Sequence, residues 1–500
     1  MPGPRALRGL CLLALGAPVL ALRGTDRQLQ PFMDKVLVAA ATSEQRDGRQ
    51  CTPKGAWRQE LRNNYDVQYT GEVIVGGQPV RGIIDTGSFE IVLFSAGCRT
   101  CGQAAAFNQK ISRSWHRGKL EQVHAYGSGS CNAQDGSDRV QIGCFTGDSQ
   151  SMWLAVDCQM PLLQHANFNA IVGIGPPGQP ELTAKASVKR LEDQEAQYKA
   201  LGVDVPKSVG VQLQKVKMEL QEATKKTSML SSFGISTFSA CFGSAKGSPA
   251  WIIWNDVTRE GQQGVARIPV AGNITWSVRM EDLHLVRETG SGGAAVQIGC
   301  GAGCGAIIDT GTSLLAVPTS VYMAISQAIN NDPMIDEDCG DVSSFPDLEF
   351  EIGDLTVRLP PSSYIGSLYG DMPAAAAKYL HLDKINSRGN GPPSGCHLLL
   401  MDMGEENTQF GPMIVLGVPF FREYYTTFSL GNEGPAGLDA REPNRSPGRA
   451  IYVSRSNEQC EPDLQGASQM HARRQGLKGM RLDASKLQVP RWAPGAGVAL

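Results

Sequence analysis

The sequence predicts a mostly β protein built around an internal repeat, on three observations. Glycine (57) and proline (29) are abundant in a chain of 500 residues, which suits many short strands joined by turns. The stretch from Asn64 to Gly76 alternates in polarity and then breaks at paired glycines, as a strand and its turn would. Finally, Ile83-Ile84-Asp85-Thr86-Gly87-Ser88 returns as Ile307-Ile308-Asp309-Thr310-Gly311-Thr312. A single Asp-Thr-Gly is weak. Two copies, each behind Ile-Ile and each followed by a hydroxyl residue, are far less easily a product of composition.

The repeated word has a chemical logic. The apolar pair forms a buried strand that carries the aspartate to the end of a sheet. Glycine gives the following turn a backbone few residues can adopt, and the hydroxyls can fix the loop by local hydrogen bonds. Two carboxylates brought together cannot both ionise cheaply, so they share a proton. The ionised one is then a general base for water, and the protonated one polarises a substrate carbonyl. On these residues the chain resembles the pepsin-like aspartic proteases, whose two lobes each contribute one such aspartate. The resemblance covers roughly residues 61 to 453 and implies a bilobal fold with pseudo-twofold related lobes, with Asp85 and Asp309 as the catalytic pair. It further implies that Thr86 and Thr310 lock the two loops together and that Ser88 hydrogen-bonds the first carboxyl. Gly87 and Gly311 would let the backbone approach a peptide, and Thr312 is the second-lobe counterpart of Ser88.

In chain order, Arg5 and Arg8 precede the apolar run Gly9 to Ala21, and Val19-Leu20-Ala21 offers small residues for cleavage. This reads as a secretory signal over residues 1–21, too short for a comfortable membrane span. Residues 22–60 are mildly basic through Arg23, Arg27, Lys35, Arg46, Arg49, Lys54 and Arg58. The resemblance makes this stretch a candidate prosegment over an acidic cleft; an unstructured leader is the alternative. The amino-terminal lobe is expected over 61–237. Within it, Ala125-Tyr126-Gly127-Ser128-Gly129-Ser130 is similar to the family's flap, with Tyr126 at the flap tyrosine and Gly127 and Ser128 at its tip. Phe168 to Gly175 and Ile414 to Gly417 resemble the strands that thread through the two active-site loops. Gly173 to Gly178 also spells a dinucleotide-binding G-x-G-x-x-G, but prolines fill its variable positions and no βα pattern surrounds it. Lys185 to Leu201 and Val209 to Lys226 are charged and poor in β-branched residues, so a helical insertion is expected at about 180–233. The carboxy-terminal lobe should run over 238–453. Residues 454–500 are polar, without a sustained period, and read as a disordered tail.

Of 13 cysteines, Cys11 lies in the signal and leaves an even twelve, in keeping with export. The resemblance implies pairs Cys300–Cys304, Cys339–Cys396 and Cys98–Cys101. The other six (Cys51, Cys131, Cys144, Cys158, Cys241 and Cys460) allow about 15 connectivities, and the sequence leaves these open. Cys98-Arg99-Thr100-Cys101 lacks a second ligand pair at zinc spacing, so no metal is expected. Asn273 and Asn444 sit in glycosylation acceptors.

With 46 basic against 49 acidic residues, the chain has no charge bias towards nucleic acid or anionic membrane. The expected partner is a protein or peptide substrate, with no cofactor, no membrane span beyond the signal, and a monomeric chain. The expected function is a zymogen-derived aspartic endopeptidase of the secretory pathway, extracellular or vacuolar. The rival is an inert peptide-binding protein of the same fold. Val92 stands seven residues after Asp85, where the family usually has a tryptophan that hydrogen-bonds the flap tyrosine. The hydroxyl of Tyr126 is therefore expected to lack its usual partner.

Overall fold

The strand that carries Asp85 enters the core at its carboxyl end. The computed structural model describes residues 51–287, 294–332, 335, 339–381, 396–431, 448–464 and 477–491. Gln78–Asp85 shows the pattern: its first half alternates between exposed and buried, and its last four residues, Gly82 to Asp85, are all buried. It pairs back on Gln68–Val75 across Gly76 and Gly77, both at positive φ, a conformation glycine adopts without steric cost.

The protein is mostly β, with two lobes on a shared antiparallel platform. The platform runs through Ala266–Pro269, Ala450–Arg455, Tyr424–Ser429, Thr237–Phe242, Ala250–Trp254 and Trp57–Asn64. Its faces bury Phe238, Trp254, Trp276 and Phe428, with Phe238 stacked on Phe428 at 4.9 Å between ring centroids. From Trp57–Asn64 the hydrogen-bonded path continues into the first lobe, making a sheet of 13 strands. The second lobe has its own sheet of nine strands, and a small one of three. Trp57–Asn64 is therefore part of the platform and runs across the boundary expected at residue 60. Arg58, counted with the basic leader, lies against Trp251 as a cation–π pair.

Helices Gln179–Ala200 and Lys207–Ala223 form the insertion, joined by the Lys217–Glu192 ion pair. The stripe they bury runs through Leu191, Val209 and Leu213, with Val216 and Leu220 half-buried; Val211 faces solvent. Among the described residues no helix is long and apolar enough to cross a membrane.

Six disulfides are present: Cys51–Cys144, Cys98–Cys101, Cys131–Cys158, Cys241–Cys460, Cys300–Cys304 and Cys339–Cys396. The three pairings that the sequence left open are thus Cys51–Cys144, Cys131–Cys158 and Cys241–Cys460. Cys241–Cys460 spans 219 residues and fastens the chain after the last platform strand back onto the platform. Asn273 is exposed; Asn444 lies outside the described residues.

The tail expected to be disordered from 454 is ordered over its described parts. Ala450–Arg455 is a platform strand, and Met480–Asp483 pairs in parallel with Ile365–Tyr369. Leu482, Ala484, Leu487 and Val489 are buried in the second lobe's core. Polar average composition hid four apolar side chains that need only a short strand and one turn to reach the core. Leu482→Ala should cost about 2–5 kcal/mol by chemical denaturation, as a buried leucine does. In a loose tail the loss would stay within about 0.5 kcal/mol.

Candidate active site

The two aspartates are delivered by the same construction used twice. Gln78–Asp85 runs parallel to Ala170–Gly173, with Ile83 opposite Ile171 and Asp85 opposite Gly173. Ala170–Gly173 is in turn antiparallel to Ile91–Phe94. In the second lobe Cys304–Ile308 runs parallel to Gly411–Leu416, with Ile308 opposite Leu416, and Gly411–Leu416 is antiparallel to Leu315–Val317. In each lobe a strand from far along the chain lies between the two that flank the Asp-Thr-Gly turn, so the turn cannot swing. Main-chain bonds finish the clamp: Ile174 N donates to Asp85 O at 2.8 Å, and Asp309 N donates to Leu416 O at 3.0 Å.

Thr86 and Thr310 join the two turns. Thr86 N donates to Thr310 Oγ1 at 3.0 Å, and Thr310 N donates to Thr86 Oγ1 at 2.9 Å. Each hydroxyl also reaches across to the other lobe, Thr86 Oγ1 to Ile308 O at 2.8 Å and Thr310 Oγ1 to Ile84 O at 2.7 Å. All of these groups are buried, so losing one partner would strand another at a cost of about 1–3 kcal/mol.

Asp85 and Asp309 meet above this junction, 8% and 2% exposed. Gly87 N donates to Asp85 Oδ1 at 2.9 Å and Gly311 N to Asp309 Oδ1 at 2.8 Å. The glycines are required by crowding: a Cβ on Gly87 would come within 2.5 Å of Asp309 Cγ, and one on Gly311 within 2.3 Å of Asp85 Oδ1. Burial pushes the Asp309 carboxyl well above its ordinary range. The Asp85 charge and a hydrogen bond between the two side chains push the same way, against the Thr312 hydroxyl and the Gly311 N–H. Two acids that share a hydrogen bond in a dry site hold a proton where isolated ones would not.

The two hydroxyls after the turns are not equivalent. Thr312 Oγ1 donates to Asp309 Oδ2 at 2.6 Å. Ser88, expected to do the same for Asp85, is buried, and its Oγ finds no partner among the described residues. Its main chain is used instead, with Gly175 N donating to Ser88 O at 2.8 Å. Val92 is buried and offers the flap no hydrogen-bond donor. Tyr126 ends the strand His116–Tyr126, pairs with Gly129 across Gly127 and Ser128, and its buried hydroxyl has no partner among the described residues. Trp115, an alternative donor, packs on Phe107. Between flap and dyad lies a cavity lined by Ile83, Tyr126, Met160, Leu162, Phe168 and Ile171, with both aspartates at its floor.

Cys98, Cys101 and Cys158 bring three sulfurs together. All three are tied in disulfides, and a disulfide sulfur has no thiolate to give a metal.

Sequence reasoning missed Glu90, Ser313 and Arg491. Arg491 Nη1 lies 3.5 Å from Glu90 Oε2, and Ser313 Oγ donates to Val67 O at 2.7 Å. Glu90 left a signal, since it is the one charge in the apolar run Phe89 to Phe94. Arg491 left none.

A buried pair of carboxylates, carried on duplicated loops at the junction of two β lobes, defines the aspartic protease class. The family model "Eukaryotic aspartyl protease" matches residues 68–204 and 209–435, and the chain belongs to that family of pepsin-like peptidases. It is 26% identical over 385 residues to pepsin A of Bos taurus, covering 75% of this chain and 84% of the relative. It is 27% identical over 380 residues to pepsin A of Sus scrofa, covering 74% and 81%. For gastricsin of Callithrix jacchus the identity is 26% over 378 residues, covering 73% and 80%.

The unequal hydroxyls give a prediction that needs no catalysis. Asp309 stabilises the fold while protonated, so its contribution is full below about pH 3.9, the ordinary carboxylate value. It is lost as pH rises through the higher folded value. Thr312→Val removes a donor that favours the ionised form, and the Tm loss between acid and neutral pH should grow relative to wild type. Ser88→Ala should leave that loss unchanged.

Proposed function

We propose that the chain is an aspartic endopeptidase that cuts proteins in acid, with Asp85 and Asp309 activating water directly. One observation carries this reading: two buried carboxylates from two lobes meet at the floor of one cavity, where burial and the Asp85 charge push the Asp309 carboxyl up. With one proton on the pair, the ionised carboxylate takes a proton from water as it attacks the peptide carbonyl. The protonated carboxylate gives its proton to the carbonyl oxygen. The tetrahedral species then collapses as the newly protonated carboxyl gives its proton to the leaving nitrogen and the other carboxylate takes one from a hydroxyl on the tetrahedral carbon, so the pair holds one proton throughout. Gly87 and Gly311 keep both carboxylates uncrowded, and the threonine junction fixes their separation. Tyr126, Gly127 and Ser128 cover the substrate, whose apolar side chains suit the walls of Ile83, Leu162 and Phe168.

The same reading includes a secreted or vacuolar precursor from which a leader is removed. Trp57–Asn64 is built into the platform, and Cys51 is bridged to Cys144. A maturation cut therefore belongs before Trp57. Amino-terminal sequencing of active enzyme, with and without reduction, should find the terminus between Leu22 and Trp57. Active enzyme still beginning at Leu22 would refute a prosegment.

Denatured globin, incubated across acid pH with and without a peptide inhibitor carrying a transition-state hydroxyl, tests the activity. Cleavage should follow a bell centred in acid and stop with the inhibitor. Asp85→Asn and Asp309→Asn should each lower kcat by about 10³-fold or more while the fold survives, since the pair acts as a unit. Near-wild-type turnover by either variant, or an optimum above neutral pH, would overturn the mechanism.

A further inference from the structure

The cleft is already occupied by the chain itself. After the turn Ala484–Lys486 the polypeptide passes between the flap and the second lobe. Gln68 Nε2 donates to Lys486 O at 2.7 Å, and Lys486 Nζ donates to His165 O. Ser313 N donates to Gln488 O at 3.2 Å, and Gln488 N donates to Ser313 Oγ at 2.9 Å. On the other side Val489 N donates to Ser128 Oγ at 3.3 Å, and Gly127 N donates to Pro490 O at 3.2 Å. Residues 488–491 complete the wall of the cavity above Asp85 and Asp309. Val489 is only 5% exposed.

These contacts are those of a bound peptide. The main-chain groups of 488–490 named above are satisfied by the flap and by Ser313, across the chain, as when an extended peptide binds along a protein edge. A substrate reaching the dyad needs the same flap donors and the same space, so it and this segment exclude each other. The segment is covalently tethered, which gives it a high effective concentration against any substrate in solution.

Its anchor is charged. The Arg491 guanidinium sits 3.5 Å from Glu90, 5.6 Å from the Phe89 ring centroid and 5.8 Å from that of Tyr126. Burial pushes the Glu90 carboxyl up, but the Arg491 guanidinium, with Lys226 just past the second insertion helix, holds it below the usual range. With the segment gone, Glu90 would be a buried carboxylate that has lost its nearest cation, a costly state. A basic side chain on an incoming peptide would restore it.

We infer that residues 487–491 are a tethered peptide ligand of the cleft, which excludes protein substrates until displaced, and that Glu90 is the wall that reads a basic side chain in whatever peptide replaces them. This rests on the cleft being a peptide site, as proposed above.

The test compares the full chain with one ending at Leu487, which keeps the buried strand and turn, and with full-length Val489→Asp. The probe is a fluorescent peptide inhibitor with a transition-state hydroxyl. It should bind the shortened chain and Val489→Asp at least about tenfold more tightly than the full chain, and globin cleavage should rise in parallel. A synthetic peptide spanning Ala484–Arg491 should displace the probe from the shortened chain competitively. Its version carrying Arg491→Gln should do so about tenfold less well, a difference that Glu90→Gln should abolish. Equal probe affinity for all three chains would overturn the occlusion, and equal displacement by both peptides would overturn the role of Glu90. Binding is read without turnover, so a clear contrast in binding with no cleavage would fail the peptidase reading alone. Equal cleavage by full and shortened chains would fail the tethered ligand alone. A shortened chain that binds neither probe nor peptide would overturn both.

Discussion

The exchange of hydrogen bonds between Thr86 and Thr310 is the constraint on which the rest depends. Each threonine gives its N–H to the other's hydroxyl and its own hydroxyl proton to a carbonyl of the opposite lobe. The lobes are thus joined at the point where two carboxylates must lie close despite their mutual repulsion. In a dry junction every one of these groups has to be satisfied, which leaves the two turns little freedom to separate or slide. The glycines that follow bring each turn's backbone against the opposite carboxylate, and no side chain would fit there.

Duplication of the backbone does not duplicate the chemistry. The threading strands, the junction and the glycine N–H donors are repeated, yet Asp309 receives a hydroxyl from Thr312 and Asp85 receives none from Ser88. The extra methyl of threonine restricts χ1, while serine can rotate away. A pair that must hold one proton between two acids benefits from unlike surroundings, because each partner's protonation state is then set by its environment.

The carboxy-terminal segment links stability to access. Leu482, Leu487 and Val489 anchor it in the second lobe, and the few residues beyond Leu487 reach over the dyad. The small sheet that holds Met480–Asp483 is therefore the base from which the cleft is covered. With valine at position 92 the Tyr126 hydroxyl has no partner among the described residues, and the flap takes contacts from Val489, Pro490 and Arg491.

Much of this was legible in the sequence. The repeated Ile-Ile-Asp-Thr-Gly word determined the two turns, because each residue in it answers a local demand: an apolar pair to bury, a carboxylate to place, a glycine where no Cβ fits. The insertion was legible from its helical composition, although only its Val209 and Leu213 side found a core. Three of the cysteine pairings could not be read, since six cysteines in a line carry no record of which strands will lie together. The bond that the resemblance implies for Ser88 is not made among the described residues, because a side chain's rotamer is settled by packing. The tail was misread for a related reason: Leu482, Leu487 and Val489 are too few and too scattered to show a period. Only the tertiary structure decided their fate, by presenting an open strand edge at Ile365–Tyr369 and a buried carboxylate at Glu90 that a distant arginine could meet.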